Sequence, residues 1–253
     1  MKKLTTKLLM AIIAVAFAFV ALGTSTYAWF SMNQEVSASG ITITAKADET
    51  FLLISKNAAA QGATTAEHAA AIQTENATSV DLQMSATANP ATDAKLLPVH
   101  YGAEAYTTTA LDTKTNWKVA YSTDPEEVQE DADQTALTNE ANLANYVFVQ
   151  DFYVTVAKDA VPAKDLKVSE VTIPENKGIR VVIATSVAGS GVIANSTLGT
   201  QPSLTNANIT DSTVINVRVY VFFEGTDTNV YQTNLANLTG SISFKLHADT
   251  VNE

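Results

Sequence analysis

With 253 residues, 46% of them hydrophobic, the chain is long enough to bury one sizeable core. Its 26 acids against 15 bases leave a formal charge of −11, which argues against nucleic acid or anionic lipid headgroups as partners, since both need clustered Lys and Arg. The absence of cysteine excludes disulfides, thiol nucleophiles, Cys-bound zinc and iron–sulfur clusters.

At the N-terminus Lys2, Lys3 and Lys7 precede an unbroken apolar run over residues 8–22, followed by small and polar residues over 23–28. A positive region, a hydrophobic stretch and a small-residue exit form the layout of a secretory signal peptide. The run is shorter than the ~20 residues that a spanning helix needs. Thr26 and Ala28 place small residues three and one before a cut between Ala28 and Trp29, with Ala21-Leu22-Gly23 as a second choice and a retained anchor as the alternative. Residues 1–28 hold three of the 15 bases and none of the 26 acids, so their removal takes the charge from −11 to −14. The expected product is secreted and touches the membrane only before cleavage. The last residues, 247–253, carry neither an apolar tail nor an LPxTG sequence, so non-covalent association is the expected means of retention at a surface.

Beyond residue 40, period-2 alternation dominates and predicts strands. Ile41, Ile43, Ala45 and Ala47 alternate with Thr42, Thr44 and Lys46. Shorter strand candidates are residues 51–55, 80–84 and 117–122, and runs rich in β-branched and aromatic residues cover 146–157, 166–173 and 178–187. Ile215, Val217, Val219, Val221 and Phe223 form one face of a further strand, opposed by Asn216, Arg218 and Tyr220. Ile242, Phe244, Leu246 and Ala248 form the face of another, and Pro162 and Pro174 fall between runs. Residues 64–73 read as a short helix, with Thr64 or Thr65 as cap and Glu67 in the first turn, and 133–145 as a second, weaker one. The Ala-, Thr- and Asn-rich stretch 57–94 reads as a surface insertion contributing little core, and 188–211 as loops. About eight or nine strands in one domain predict an all-β, two-sheet β-sandwich, jelly-roll-like, over residues 41–253, with insertions near 57–100 and 123–145.

Signals for chemistry are few. His68, His100 and His247 are far apart, and Glu67-His68 lacks the second histidine four positions on that a helical zinc site requires. Neither a GxSxG elbow nor a P-loop nor GxGxxG occurs, and Gly189-Ser190-Gly191 reads as a turn. The acidic run 124–133 reads as a solvated loop. Residues 224–229 (EGTDTN) read as a hairpin turn, with a cation site as the alternative. No catalytic residue, metal ligand or cofactor is expected.

One segment is more specific. Gly23-Thr24-Ser25-Thr26-Tyr27-Ala28-Trp29-Phe30-Ser31, then Val36-Ser37-Ala38-Ser39-Gly40, then the strand from Ile41 resemble the TasA/camelysin family of exported matrix proteins. The resemblance covers residues 21–47 well and the strand layout loosely, and does not extend to 57–145. It implies processing near Ala28 by a dedicated signal peptidase, a jelly-roll fold and, as in some members, polymerisation by donation of the new N-terminal segment to the next subunit. Clostridial-type biofilm-matrix or pilus-like relatives imply an acidic turn after a late strand, as at Glu224, Gly225 and Asp227. The metalloprotease activity credited to camelysin relatives finds no zinc signature here.

The physics suits such an assembly. Trp29 and Phe30 would each bury on the order of 150–250 Å² in a groove, whereas on a soluble monomer they would be exposed or packed on their own domain. Residues 29–40 therefore read as an assembly segment. Trp29 and Phe30 are its anchors, Val36 marks its far end and Gly40 the flexible break before the first strong strand. The expected partners are other copies of the chain and a signal peptidase. The alternatives are a monomeric binding module, for instance for glycans through Tyr101, Tyr106, Trp117 and Tyr121, or an exported hydrolase. N-terminal sequencing of the exported protein is expected to begin at Trp29. A start upstream of Gly23, or a retained Met1, would remove the cleavage site and the assembly scheme with it.

Overall fold

The computed structural model describes residues 42–47, 51–83, 96–119, 135–138, 143–173, 178–191, 203–227, 230 and 241–251, and of 42–47, 81–83 and 241 the backbone alone. These residues are mostly strand: β1 (Thr42–Ala47), β2 (Leu52–Ser55), β3 (Ser79–Gln83), β4 (Val99–Tyr101), β5 (Trp117–Val119), β6 (Thr135–Ala136), β7 (Val147–Val156), β8 (Ala163–Thr172), β9 (Ile179–Ala184), β10 (Ser203–Thr205), β11 (Ile215–Phe223) and β12 (Ser241–Thr250). Two short helices, α1 (Thr65–Glu75) and α2 (Thr108–Asp112), interrupt them. The chain is therefore all-β in class.

The strands form a five-stranded sheet in the order β10-β8-β12-β1-β3, a four-stranded sheet β2-β7-β11-β9 and a three-stranded sheet β4-β5-β6. Neighbours run antiparallel, with one exception: β1 lies parallel to β12, with Thr42 opposite Ser241 and Ala47 opposite Leu246. Strand β8 bends through two register shifts against β12, and Asp165 (φ 54°) and Glu170 (φ 45°) take up the left-handed backbone there.

The four-stranded sheet is buried on both faces along part of its length. From β11, Val217, Val219, Val221 and Phe223 enter one core with Ile242, Phe244 and Leu246 of β12 and Leu166 and Val168 of β8. Tyr220 and Phe222, the alternate residues, enter a second core with Val99, Tyr101 and Trp117 of the three-stranded sheet. Phe152 and Phe244 pack at 5.8 Å between ring centroids in the first core, and Trp117 and Phe222 at 5.0 Å, edge to face, in the second. A strand buried on both sides loses clean alternation, which is why Val221-Phe222-Phe223 is continuously apolar.

Helix α1 starts as its sequence predicts. The Thr64 hydroxyl accepts from the Glu67 N–H at 3.2 Å, and the Glu67 carboxylate accepts from the Thr64 N–H at 2.6 Å. The helix stops at Asn76 (φ 48°), whose N–H donates to the Ile72 carbonyl at 3.0 Å. The stretch containing it does supply core: Ala69, Ile72 and Val80 are buried, and β3 joins the five-stranded sheet. Among the described residues of 133–145 the expected helix does not form. Thr135 and Ala136 pair with β5, and Leu143–Asn145 is a single 3-10 turn. A close backbone approach fixes the far side of the second core, because a Cβ on Gly189 would lie 2.0 Å from the Tyr106 carbonyl oxygen.

Trp117 is fully buried and its indole N–H donates to the Leu111 carbonyl at 2.7 Å. Trp117→Ala would open a cavity and orphan that carbonyl, at a cost of about 3–5 kcal/mol. Urea unfolding with an unchanged m-value should report that loss. A change under ~1 kcal/mol would mean that the three-stranded sheet adds little to the stability of the rest.

Candidate functional site

Period 2 along β11 puts Asn216, Arg218, Tyr220 and Phe222 on one face of the four-stranded sheet, opposite Tyr153, Asp151, Val149 and Val147 of β7. The Tyr220–Phe222 end lies under the three-stranded sheet. At the β2 edge the same face lies under α1, where the Ser55 hydroxyl donates to Glu75 at 2.5 Å and the Gln73 amide reaches the Val156 and Asp211 carbonyls at 3.0 and 2.7 Å. Between these covers none of the described residues lies over the face. Its floor is Tyr153, Asn216 and Arg218, and its walls are the loop before α1 on one side and α2 with residues 185–187 on the other. The opening comprises a trough of about 540 Å³ beside Arg218 and a hollow of about 190 Å³ over Tyr153, which share Val214 and Asn216.

A rigid ion network holds this floor. Arg218 forks onto Asp151, with Nε to Oδ1 at 2.6 Å and Nη2 to Oδ2 at 3.0 Å, while Nη1 donates to Asp112 at 2.5 Å. The Tyr220 hydroxyl donates to the other Asp112 oxygen at 2.9 Å, which clamps α2 to the sheet. The Asp151 bond holds the guanidinium even more firmly protonated than usual, and burial, then Asp112, pushes the Tyr220 phenol up. Burial, then the Asp151 charge, also raises the Tyr153 phenol. The edge of the His68 ring fixes the Tyr153 ring at 4.7 Å between centroids, and a 2.7 Å bond to the Asn57 carbonyl holds His68 in turn. Sequence reading missed this cluster. The available signal was an arginine inside a valine-rich strand: Arg180 and Arg218 are the chain's two arginines, and each lies in the four-stranded sheet bonded to an aspartate.

The expected assembly and cleavage residues Ala28, Trp29, Phe30, Val36 and Gly40 lie outside the described residues, as do the acidic run 124–133, Tyr121 and the apolar run 8–22. Among the described residues no helix is long and apolar enough to cross a membrane. Tyr101 and Trp117, two of the aromatics considered for stacking on a glycan, are core residues and cannot serve it. Tyr101 donates to the Ala105 carbonyl, and burial, then Tyr106, pushes its phenol up to about 12.

The turn from Glu224 satisfies its own carboxylates. Oε1 of the buried Glu224 meets His100 Nδ1 at 2.9 Å, the Thr226 N–H at 3.2 Å and the Thr226 hydroxyl at 2.9 Å, and Asp227 meets Arg180 at 2.7 Å. The three histidines stand at three separate places, His247 beside Asp249 at 3.3 Å. Among the described residues no group of three or more His, Asp and Glu could hold a metal.

Comparison with family models, with curated proteins and with solved structures finds no match.

Because Glu224 and Asp227 are already bonded within the protein, EDTA or added calcium is expected to leave the melting temperature unchanged. A fall with EDTA that calcium restores would identify a cation site at this turn or in the acidic run.

Proposed function

We propose that the chain is a structural subunit of an extracellular surface or biofilm-matrix fibre of the TasA/camelysin kind. In this reading the two larger sheets form a jelly-roll-like sandwich and residues 1–28 are removed after Ala28. The new N-terminal segment, 29–40, is donated head-to-tail to the next subunit. A heterologous contact of that type propagates as an open filament.

The observation that carries the reading is the parallel seat of β1 between β12 and β3. Hairpins join antiparallel neighbours, so the parallel pairing of the first described strand with the last comes from outside the hairpin order, although β1 is antiparallel to β3. It is bonded on both sides, and gives the segment just before it a firm base. The 13 residues 29–41 can span up to about 43–47 Å when extended, enough to cross a neighbouring domain of this size. Trp29 and Phe30 would contribute about 3–6 kcal/mol on burial, before the cost of ordering the segment. No enzymatic role is proposed.

Deleting residues 29–36, or changing Trp29 and Phe30 to Ser, is expected to leave a folded monomer that no longer forms fibres. Electron microscopy and sedimentation, with the melting temperature as control, read this out. Fibres from the truncated chain would end the donor-segment scheme, and unfolding of the truncated chain would assign the two aromatics to its own core. A wild-type chain that stays monomeric at all concentrations favours a binding module instead.

A further inference from the structure

The trough between α1 and α2 offers polar groups that the fold itself does not use. The exposed Asn216 amide and the Tyr153 hydroxyl have no hydrogen-bond partner among the described residues. Arg218 spends three of its five N–H donors on Asp151 and Asp112, so two remain on a fork that cannot turn. Asp112 accepts one bond at each oxygen and keeps lone pairs at an exposed position. These groups stand on paired strands and a clamped helix, and the half-buried Tyr153 ring lies beside them. The combined volumes of about 540 and 190 Å³ fall within the range of sites for small molecules or short polymer segments.

We infer that this trough binds a neutral saccharide chain. A pyranose presents an apolar C–H face edged with hydroxyls that both donate and accept. That matches one aromatic ring flanked by an amide, a carboxylate and a fixed guanidinium. Charge excludes the obvious rivals. Arg218 is matched by two aspartates, so no net positive site remains for a phosphate backbone, and the chain is acidic throughout. A strand-forming peptide would need a long free sheet edge, whereas Tyr153 and Arg218 are paired on both sides and only residues 215–217 of β11 lack a partner on the β9 side among the described residues. The site is separate from the N-terminal segment, so it stands whether or not the chain forms fibres.

The test is native electrophoresis of the exported protein through gels containing dissolved dextran, a soluble β-glucan, galactomannan or xylan. The acidic chain runs toward the anode, and binding slows it. At least one of the four should retard the wild type. Asn216→Ala, which removes an exposed amide, should weaken that binding about tenfold or more with the melting temperature unchanged. Asn216→Trp, which fills the trough, should abolish it. The proposal is overturned if none of the four retards the wild type, or if both variants are retarded like it. It is also overturned if Asn216→Trp stops fibre assembly while leaving polysaccharide binding intact, since the occupant would then be a peptide of another copy.

Discussion

Successive side chains of β11 leave the strand in opposite directions and land in two different cores. Val217, Val219, Val221 and Phe223 hold the five-stranded sheet, and Tyr220 and Phe222 hold the three-stranded one. A cysteine-free chain has no disulfide to limit its conformational entropy and must oppose it chiefly by burial and hydrogen bonding, and one strand that serves two cores couples them. Large aromatics sit at the second contact because the three-stranded sheet is short and must bury much area with few residues. Trp117, Tyr101 and Phe222 do this within 5.0 Å of one another's rings along the chain Tyr101–Trp117–Phe222.

The same arrangement explains why the sheet face opens where it does. Residues 220 and 222 of β11 are apolar or aromatic and are covered. At 218 and 216 the same face turns polar, and a guanidinium there cannot go under a hydrophobic cover without its counter-charges. Asp151 and Asp112 supply them from β7 and α2, so the cover ends at an ion network rather than at a ragged apolar edge. The polar floor of the trough is thus the boundary condition of the second core.

How far the sequence discloses this depends on the range of the interaction that decides each element. The strands over 147–156, 179–184 and 215–223 show in their own composition, and the α1 start shows in Thr64 and Glu67, because alternation and capping are local. Val99–Tyr101 and Ser203–Thr205 are three residues each, too short for a period, and exist because β5 and β8 pair with them. At Thr135 and Ala136 the helical reading failed for the same reason, since pairing with β5 decides their conformation. Tyr220 reads as the polar face of a half-buried strand until a third sheet covers it. Asp112, Asp151 and Arg218 meet across 106 and 67 positions, a distance that no local pattern encodes.

The placing of β1 has a consequence for the order of events. Thr42 pairs opposite Ser241 as well as Gln83, so the first described strand completes its pairing only when the last one exists. Contacts of such sequence separation carry the largest loop-closure cost and tend to form late. Until then the seat between β3 and β12 is a slot filled at most on its β3 side, with unpaired backbone groups toward β12, the kind of edge that recruits foreign strands. On the fibre reading, the segment before β1 is presented only by a subunit whose own slot is already filled. Filling the slot and offering the segment are then one step, and growth by finished subunits is favoured over tangling of unfinished ones.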